Sequence, residues 1–211
     1  MRSFVNTAFR LYLNYRYKQI EDFKRDPVST QDRQLEAIVD RARNTEWGRA
    51  RDFGGIQSVK DFRNQPLVDY HVLEPYILRM MHGEENILVP DKVQWFSKSS
   101  GTTSSKSKYI PVPESNLEEC HIKGTWDTMA MIYHNNPESM IFHDRSLLMG
   151  GSIKSFDQKA ETFVGDISAI MIKNMPYIGR PFYTPDFDTA LMNDWEYKIE
   201  RMAQIVSKNE D

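Results

Sequence analysis

The sequence predicts an α/β fold, a mixed sheet flanked by helices, on three grounds. Segments of helical periodicity carry their own capping residues. Short apolar runs that read as strands fall between those segments. The composition, 40% hydrophobic and 12% aromatic over 211 residues, supplies the apolar area for one good-sized core. Domains run to roughly 100–200 residues, so a single domain over 1–211 is the expectation. It divides into a helical lead-in over 1–85, then a strand pair and the following α/β region over 86–211.

Taken in order, the first segment is an amphipathic helix in which Phe4, Ala8, Leu11, Tyr12, Tyr15 and Phe23 recur near helical spacing. A basic, aromatic helix could lie on a membrane surface, but Glu21 and Asp22 on the polar face favour packing on its own domain. Ser29 or Thr30 caps a second helix from Thr30 to Arg43, with Leu35, Ile38, Val39 and Ala42 as its stripe. The stretch from Asn44 mixes Gly48, Gly54 and Gly55 with aromatics and reads as loop, until Ser58 caps a short helix holding Val59 and Phe62. Asp69 caps a helix from Tyr70 to Met81, in which Pro75 must cause an early break or a kink.

Ile87–Val89 and Val93–Phe96 are strand candidates, the second buried on both faces. Lys108–Val112 is a further strand. Pro113, Glu114 and Ser115 open a long helix that ends before Pro137. Ser146–Met149 reads as a buried strand closing on Gly150 and Gly151, and Phe163–Ile167 as another, leading into a helix around Ala169–Asn174. Asp186 or Asp188 opens a last helix with Ala190, Leu191, Trp195, Ile199, Met202 and Ile205 on one face. Neither an internal repeat nor a low-complexity linker interrupts the order.

Charge narrows the partners. With 27 basic against 30 acidic residues the net charge is −3, and no basic stripe runs along the chain to neutralise a nucleic-acid backbone. The positive run at Lys98, Lys106 and Lys108 suits a small phosphate compound rather than a polymer. Cys120, the single cysteine, excludes an internal disulfide and a cysteine-rich metal site. The start lacks the apolar core of a signal peptide, and no run of about 20 apolar residues suits a membrane span. A cytoplasmic protein without membrane or nucleic-acid partners is the expectation. The five histidines lie at no metal-ligand spacing, so no structural metal is expected. Cys120 falls inside a helix, where a buried inert thiol is favoured over a nucleophile.

One segment carries chemistry: WFSKSSGTTSSKSKYIP, residues 95–111. Seven of the nine residues from Ser99 to Ser107 bear hydroxyls. Gly101 lets the backbone approach a ligand closely, and Lys106 and Lys108 add charge at the exit. Successive amides in such a turn form an anion-binding nest, and hydroxyls supply further donors to phosphate oxygens. The single glycine and the flanking strands set it apart from a Walker A loop. A flexible Ser/Gly connection that binds nothing is the plainer alternative on composition alone.

The order of those residues resembles the phosphate-binding loop of the adenylate-forming superfamily. Within it, SSGTTSSKSKYIPV is most similar to the auxin-responsive promoter family of acyl-acid amido synthetases and their bacterial relatives. Ser99, Ser100, Gly101, Thr102, Thr103, Lys108, Ile110 and Pro111 fit that pattern. So do the lead-in TEWGRARDFGG…MMHGEENIL, the LMGGS at Leu148–Ser152 and the KNMP at Lys173–Pro176. Ser105 and Ser107 depart from the Gly and Pro usual in plant members.

The resemblance implies the amino-terminal part of the adenylate-forming fold, incomplete without a carboxy-terminal region that holds the ribose and a catalytic lysine. It also implies ATP, with Mg2+ accompanying it. In the full-length enzyme a carboxylic acid is activated as acyl-adenylate, and an amino acid or amine then attacks to form an amide. Ser99, Ser100, Gly101, Thr102, Thr103 and Lys108 would hold the ATP phosphates. Catalytic residues are not assigned, and this chain alone is expected to be inactive. An acyl-CoA ligase, or a binding module that keeps only the fold, are the alternatives. In such an enzyme His121, Lys123, Asp127 and Met131 could line the acyl pocket, against the plainer reading of a solvated face with Met and Ile in the core. Core surface left uncovered by the missing region would favour self-association.

Overall fold

A computed structural model describes residues 2–99, 107–142 and 144–208, with side chains from residue 7 onward. It is an α/β arrangement in two compact units. One holds residues 22–114 and 155–164, and the other residues 1–21, 115–154 and 165–211. Among the described residues no helix is long and apolar enough to cross a membrane.

The unit of residues 22–114 and 155–164 opens with α2 (Pro27–Ala42), which follows α1 (Arg2–Arg25). Asp26, not Ser29 or Thr30, caps α2, its side chain accepting the Ser29 N–H, and Pro27 takes the first helical position. A proline there gives up an N–H that would be unpaired anyway. The stretch read as loop contains α3 (Glu46–Ala50), capped by Thr45 through the Gly48 N–H. The amides of Glu46 and Trp47 donate to the carbonyls of Asn86 and Ile87, at 2.9 and 3.0 Å. That use of the 86–87 carbonyls is why Ile87–Val89, expected as a strand, is an irregular segment with Ile87 buried.

Ser58 caps α4 (Val59–Arg63) and Asp69 caps α5 (Tyr70–Met81), as their spacing predicts. Pro75 lies within α5 without ending it, at the cost of one backbone hydrogen bond. Ile77, Met80 and Met81 on α5 form a core with Ile87, Val93 and Phe96. A four-stranded sheet runs in the order β2-β1-β5-β4, from β1 (Trp95–Lys98), β2 (Tyr109–Val112), β4 (Ile153–Asp157) and β5 (Thr162–Gly165). In β1 only Phe96 is fully buried, with Trp95 and Ser97 half-buried, so one face is covered rather than both. Phe163 of β5 joins the expected strand there, whereas the polar run of β4 carried no recognisable strand signal.

The other unit packs α1 on α7 (Lys123–Asn135), which continues a one-turn α6 (Glu114–Asn116) through a π-helical turn, Leu117–Ile122. The buried stripe of α1 is Phe9, Leu13 and Arg16. This overturns the stripe expected from spacing: Leu11 is 68% and Tyr15 61% exposed, and Tyr12 and Phe23 also face outward. Leu13 packs with Ala130 and Tyr133, and Phe9 stacks on Phe142 at 4.7 Å. Buried Arg16 pairs with Asp127. β3 (Ser146–Leu147) pairs in parallel with β6 (Tyr183–Thr184), and its residues are exposed rather than buried. After α8 (Ile167–Lys173), the single last helix expected is two: α9 (Phe187–Ala190), capped by Asp186, and α10 (Trp195–Val206), capped by Asp194. The second cap restarts the chain with Lys198 and Met202 inward and Trp195 and Ile199 half-exposed.

Candidate functional site

The hydroxyl-rich loop springs from the end of a hairpin. β1 and β2 pair antiparallel, Trp95 opposite Val112 through Lys98 opposite Tyr109, and the Ser99 N–H donates to the Lys108 carbonyl at 2.9 Å. Ser99 and Lys108 thus stand directly across from one another at the loop's base. Ser100, Gly101, Thr102 and Thr103 lie outside the described residues.

Tyr70, at the start of α5, grips that base. Its phenol oxygen accepts the Tyr109 N–H at 2.9 Å and donates to the Tyr109 carbonyl at 3.3 Å. Partial burial pushes the phenol above its ordinary pKa, which keeps it protonated as a donor. The Lys108 ammonium sits 5.3 Å from the centre of the same ring, a cation–π contact that steadies a long side chain while leaving its charge available. Lys108 is exposed, and Ser107 before it is half-buried. Tyr70 was absent from the sequence-derived set because nothing in the pattern of α5 links residue 70 to residue 109.

In the other unit, a cavity of about 270 Å³ opens between the π turn, α7, α8 and the segment 174–183. Trp126, Met129, Phe142 and Ile172 give it apolar walls. Of the four positions weighed for an acyl pocket, His121 lines it and Lys123, Asp127 and Met131 do not. Asp127 is turned to Arg16 instead. Cys120, expected to be buried, is exposed on the π turn, because the wide turn presents Leu117, His121 and Ile122 to the cavity in its place. Single π turns recur where a helix lines a functional site.

The Gly150-Gly151-Ser152 loop follows the cavity wall at Leu148 and Met149, and its backbone is held at four points. The Gly151 N–H donates to Ser168 Oγ at 3.2 Å and the Ser152 N–H to Asp166 Oδ2 at 3.0 Å. Lys198 Nζ donates to the carbonyls of Gly150 and Gly151, at 2.7 and 3.3 Å. A Cβ on Gly151 would stand 2.0 Å from Asp166 Oδ2, and one on Gly150 2.5 Å from Ile172. A side chain at Gly151 would displace Asp166 from the Ser152 N–H, and one at Gly150 would require the Ile172 methyl to move. Burial lowers the Lys198 ammonium below its usual range, an effect the Asp166 charge opposes. Lys198 escaped sequence reasoning because a lysine within an amphipathic helix ordinarily marks the wet face.

No group of three or more His, Cys, Asp or Glu side chains converges among the described residues. A model of the GH3 family N-terminal domain matches residues 16–209. The chain is 35% identical over 103 residues to an indole-3-acetic acid-amido synthetase, GH3.2, of Arabidopsis thaliana, which covers 48% of this chain and 19% of that protein. It is 31% identical over 103 residues to a jasmonoyl–L-amino acid synthetase, JAR6, of Nicotiana attenuata, at 48% and 18% coverage. The solved structure of the GH3.15 acyl acid amido synthetase superposes with a TM-score of 0.71 at 20% identity, covering 88% of this chain and 32% of that one. The curated relatives' alignments thus span about half of this chain and less than a fifth of their own length.

Proposed function

The chain belongs to the GH3 family through its amino-terminal domain, and from that premise we propose that it supplies the amino-terminal portion of an acyl-acid amido synthetase. In the full-length protein a carboxylic acid is activated by MgATP as an acyl-adenylate and passed to an amino acid or amine. The observation that carries this reading is the hairpin base. Ser99 and Lys108 are paired there, with Tyr70 holding the backbone of residue 109 through both its polar groups. Shared ancestry with proteins named as amido synthetases supports it.

In this reading Ser99, Ser100, Gly101, Thr102, Thr103 and Lys108 hold the ATP phosphates. Their hydroxyls, a close-approaching backbone and one ammonium are the donor set an anion of that kind needs. Bound ATP supplies the electrophilic phosphorus and the leaving pyrophosphate, and Mg2+ arrives with it. The residues of the chain act by position: the strand pair fixes Ser99 and Lys108 at the two ends of the loop, where their donors meet charge as it builds on the leaving group. The Lys108 ammonium, steadied over the Tyr70 ring, lies at the loop's exit, where it offsets negative charge. The cavity below His121 takes the body of the acid.

The test is acid-dependent ATP–pyrophosphate exchange by the full-length protein against a panel of carboxylic acids. Exchange that appears only with particular acids is the expected result. A folded full-length protein that binds ATP and shows no exchange with any acid would remove the ligase reading for those acids.

A further inference from the structure

The cavity lining is almost devoid of charge. Among the described residues that line it there is no Lys, Arg, Asp or Glu, and His121 is the one side chain able to carry a positive charge. The other polar side chains are mostly engaged. Thr125 Oγ1 donates to the His121 carbonyl at 2.8 Å, Asn174 Nδ2 to the Ile170 carbonyl at 2.8 Å, and Ser168 Oγ accepts the Gly151 N–H. Among the described residues no hydrogen bond engages the His121 ring, the Tyr183 phenol or the Trp126 indole N–H, and the Ser168 hydroxyl keeps its own proton to donate; of these groups open to a ligand, only His121 can carry a positive charge. Four lining residues, Met129, Met149, Met171 and Met175, are methionines, whose flexible thioethers re-pack around ligands of differing outline.

A carboxylate that leaves water for such a cavity is stable only against a donor, and best against a charged one. We propose that His121 is the specificity-determining residue of the cavity. Its ring N–H receives the anionic end of a ligand whose remaining body is flat and uncharged, while the methionine walls set how broad a range of bodies is accepted. The inference rests on reading the cavity as the acid site. It selects against acids with a second charge, which would meet no partner in the lining.

The test uses the 211-residue chain without nucleotide and two probes of the same shape, 2-naphthoate and its neutral amide 2-naphthamide, measured by calorimetry. The wild-type chain should bind naphthoate about tenfold tighter, the scale of one charge-assisted hydrogen bond. H121L should bring the two probes to equal affinity, with naphthamide binding unchanged within about twofold, which also shows the cavity intact. Y183F should keep the preference. Where H121L does not fold, H121Q decides, and it should lose most of the preference. A preference retained in the His121 variants, or naphthoate that does not bind the wild-type chain, overturns the inference. Neither result touches exchange scored on the phosphate loop, so the two readings fail separately.

Discussion

Lys198 is a cation that the fold buries to 1% exposure, and its two carbonyl acceptors define its role. K198M would strip the donor from Gly150 and Gly151 and leave buried acceptors unpaired, a loss of about 1–3 kcal/mol. Urea unfolding of the variant measures it, and wild-type stability would show that the clamp contributes nothing. The sign of its pH dependence follows from the lowered ammonium pKa. Between that value and the ordinary 10.5, the unfolded chain binds the extra proton, so this lysine adds stability as pH rises through the window. Tyr70 acts on a different bond. Y70F leaves the Tyr109 N–H without its acceptor and should cost about 1–2 kcal/mol, with faster hydrogen exchange at the Tyr109 amide as the local readout. Neither residue was legible in the sequence, because each works on a partner far along the chain: 39 residues away for Tyr70 and 48 for Lys198.

Elements with local signals were read well. The Ser58 and Asp69 caps, the strand after the loop and the long helix opening at Pro113 all depend on neighbours within a few residues, which is where capping and proline chemistry act. The failures share a cause as well. Spacing favours Leu11 and Tyr15 as the stripe of α1, but the face that finds partners is Phe9 and Leu13, against Phe142, Ala130 and Tyr133. An apolar-rich helix offers more than one stripe, and packing chooses. At the start of α3 the Arg79 guanidinium joins Glu46, at 2.7 and 2.8 Å, to Glu84. Its hydrogen bonds hold both carboxyls below their ordinary value of 4.5. A carboxyl with a depressed folded pKa stabilises at higher pH and loses that contribution as pH falls through the folded value. R79M should therefore flatten the fall in stability below about pH 4.5, followed as melting temperature against pH. An unchanged slope would place the acid sensitivity elsewhere.

At the scale of the whole chain, the proposed phosphate loop and the exposed face of α10 make separate predictions. Radiolabelled ATP should be retained by the 211-residue chain in equilibrium dialysis, weakly and in a salt-dependent way. K108A should reduce retention several-fold, as befits the loss of one charged donor; equal retention by the variant would remove Lys108 from the site. Trp195 and Ile199, one turn apart on α10, are about half exposed, and association of copies through this face at high concentration is the expectation. Light scattering should show W195S less associated than wild type, and a wild-type monomer at all concentrations would count against it. The α/β class, most helix starts and the family are readable from residue order, since each rests on local pattern or on a contiguous motif. What tertiary structure alone decided was which faces are buried, that a tyrosine on α5 anchors the loop's exit, and that His121 rather than Lys123, Asp127 or Met131 reaches the cavity. Burial and contact across tens of residues are properties of packing, and packing leaves no short-range mark on the sequence.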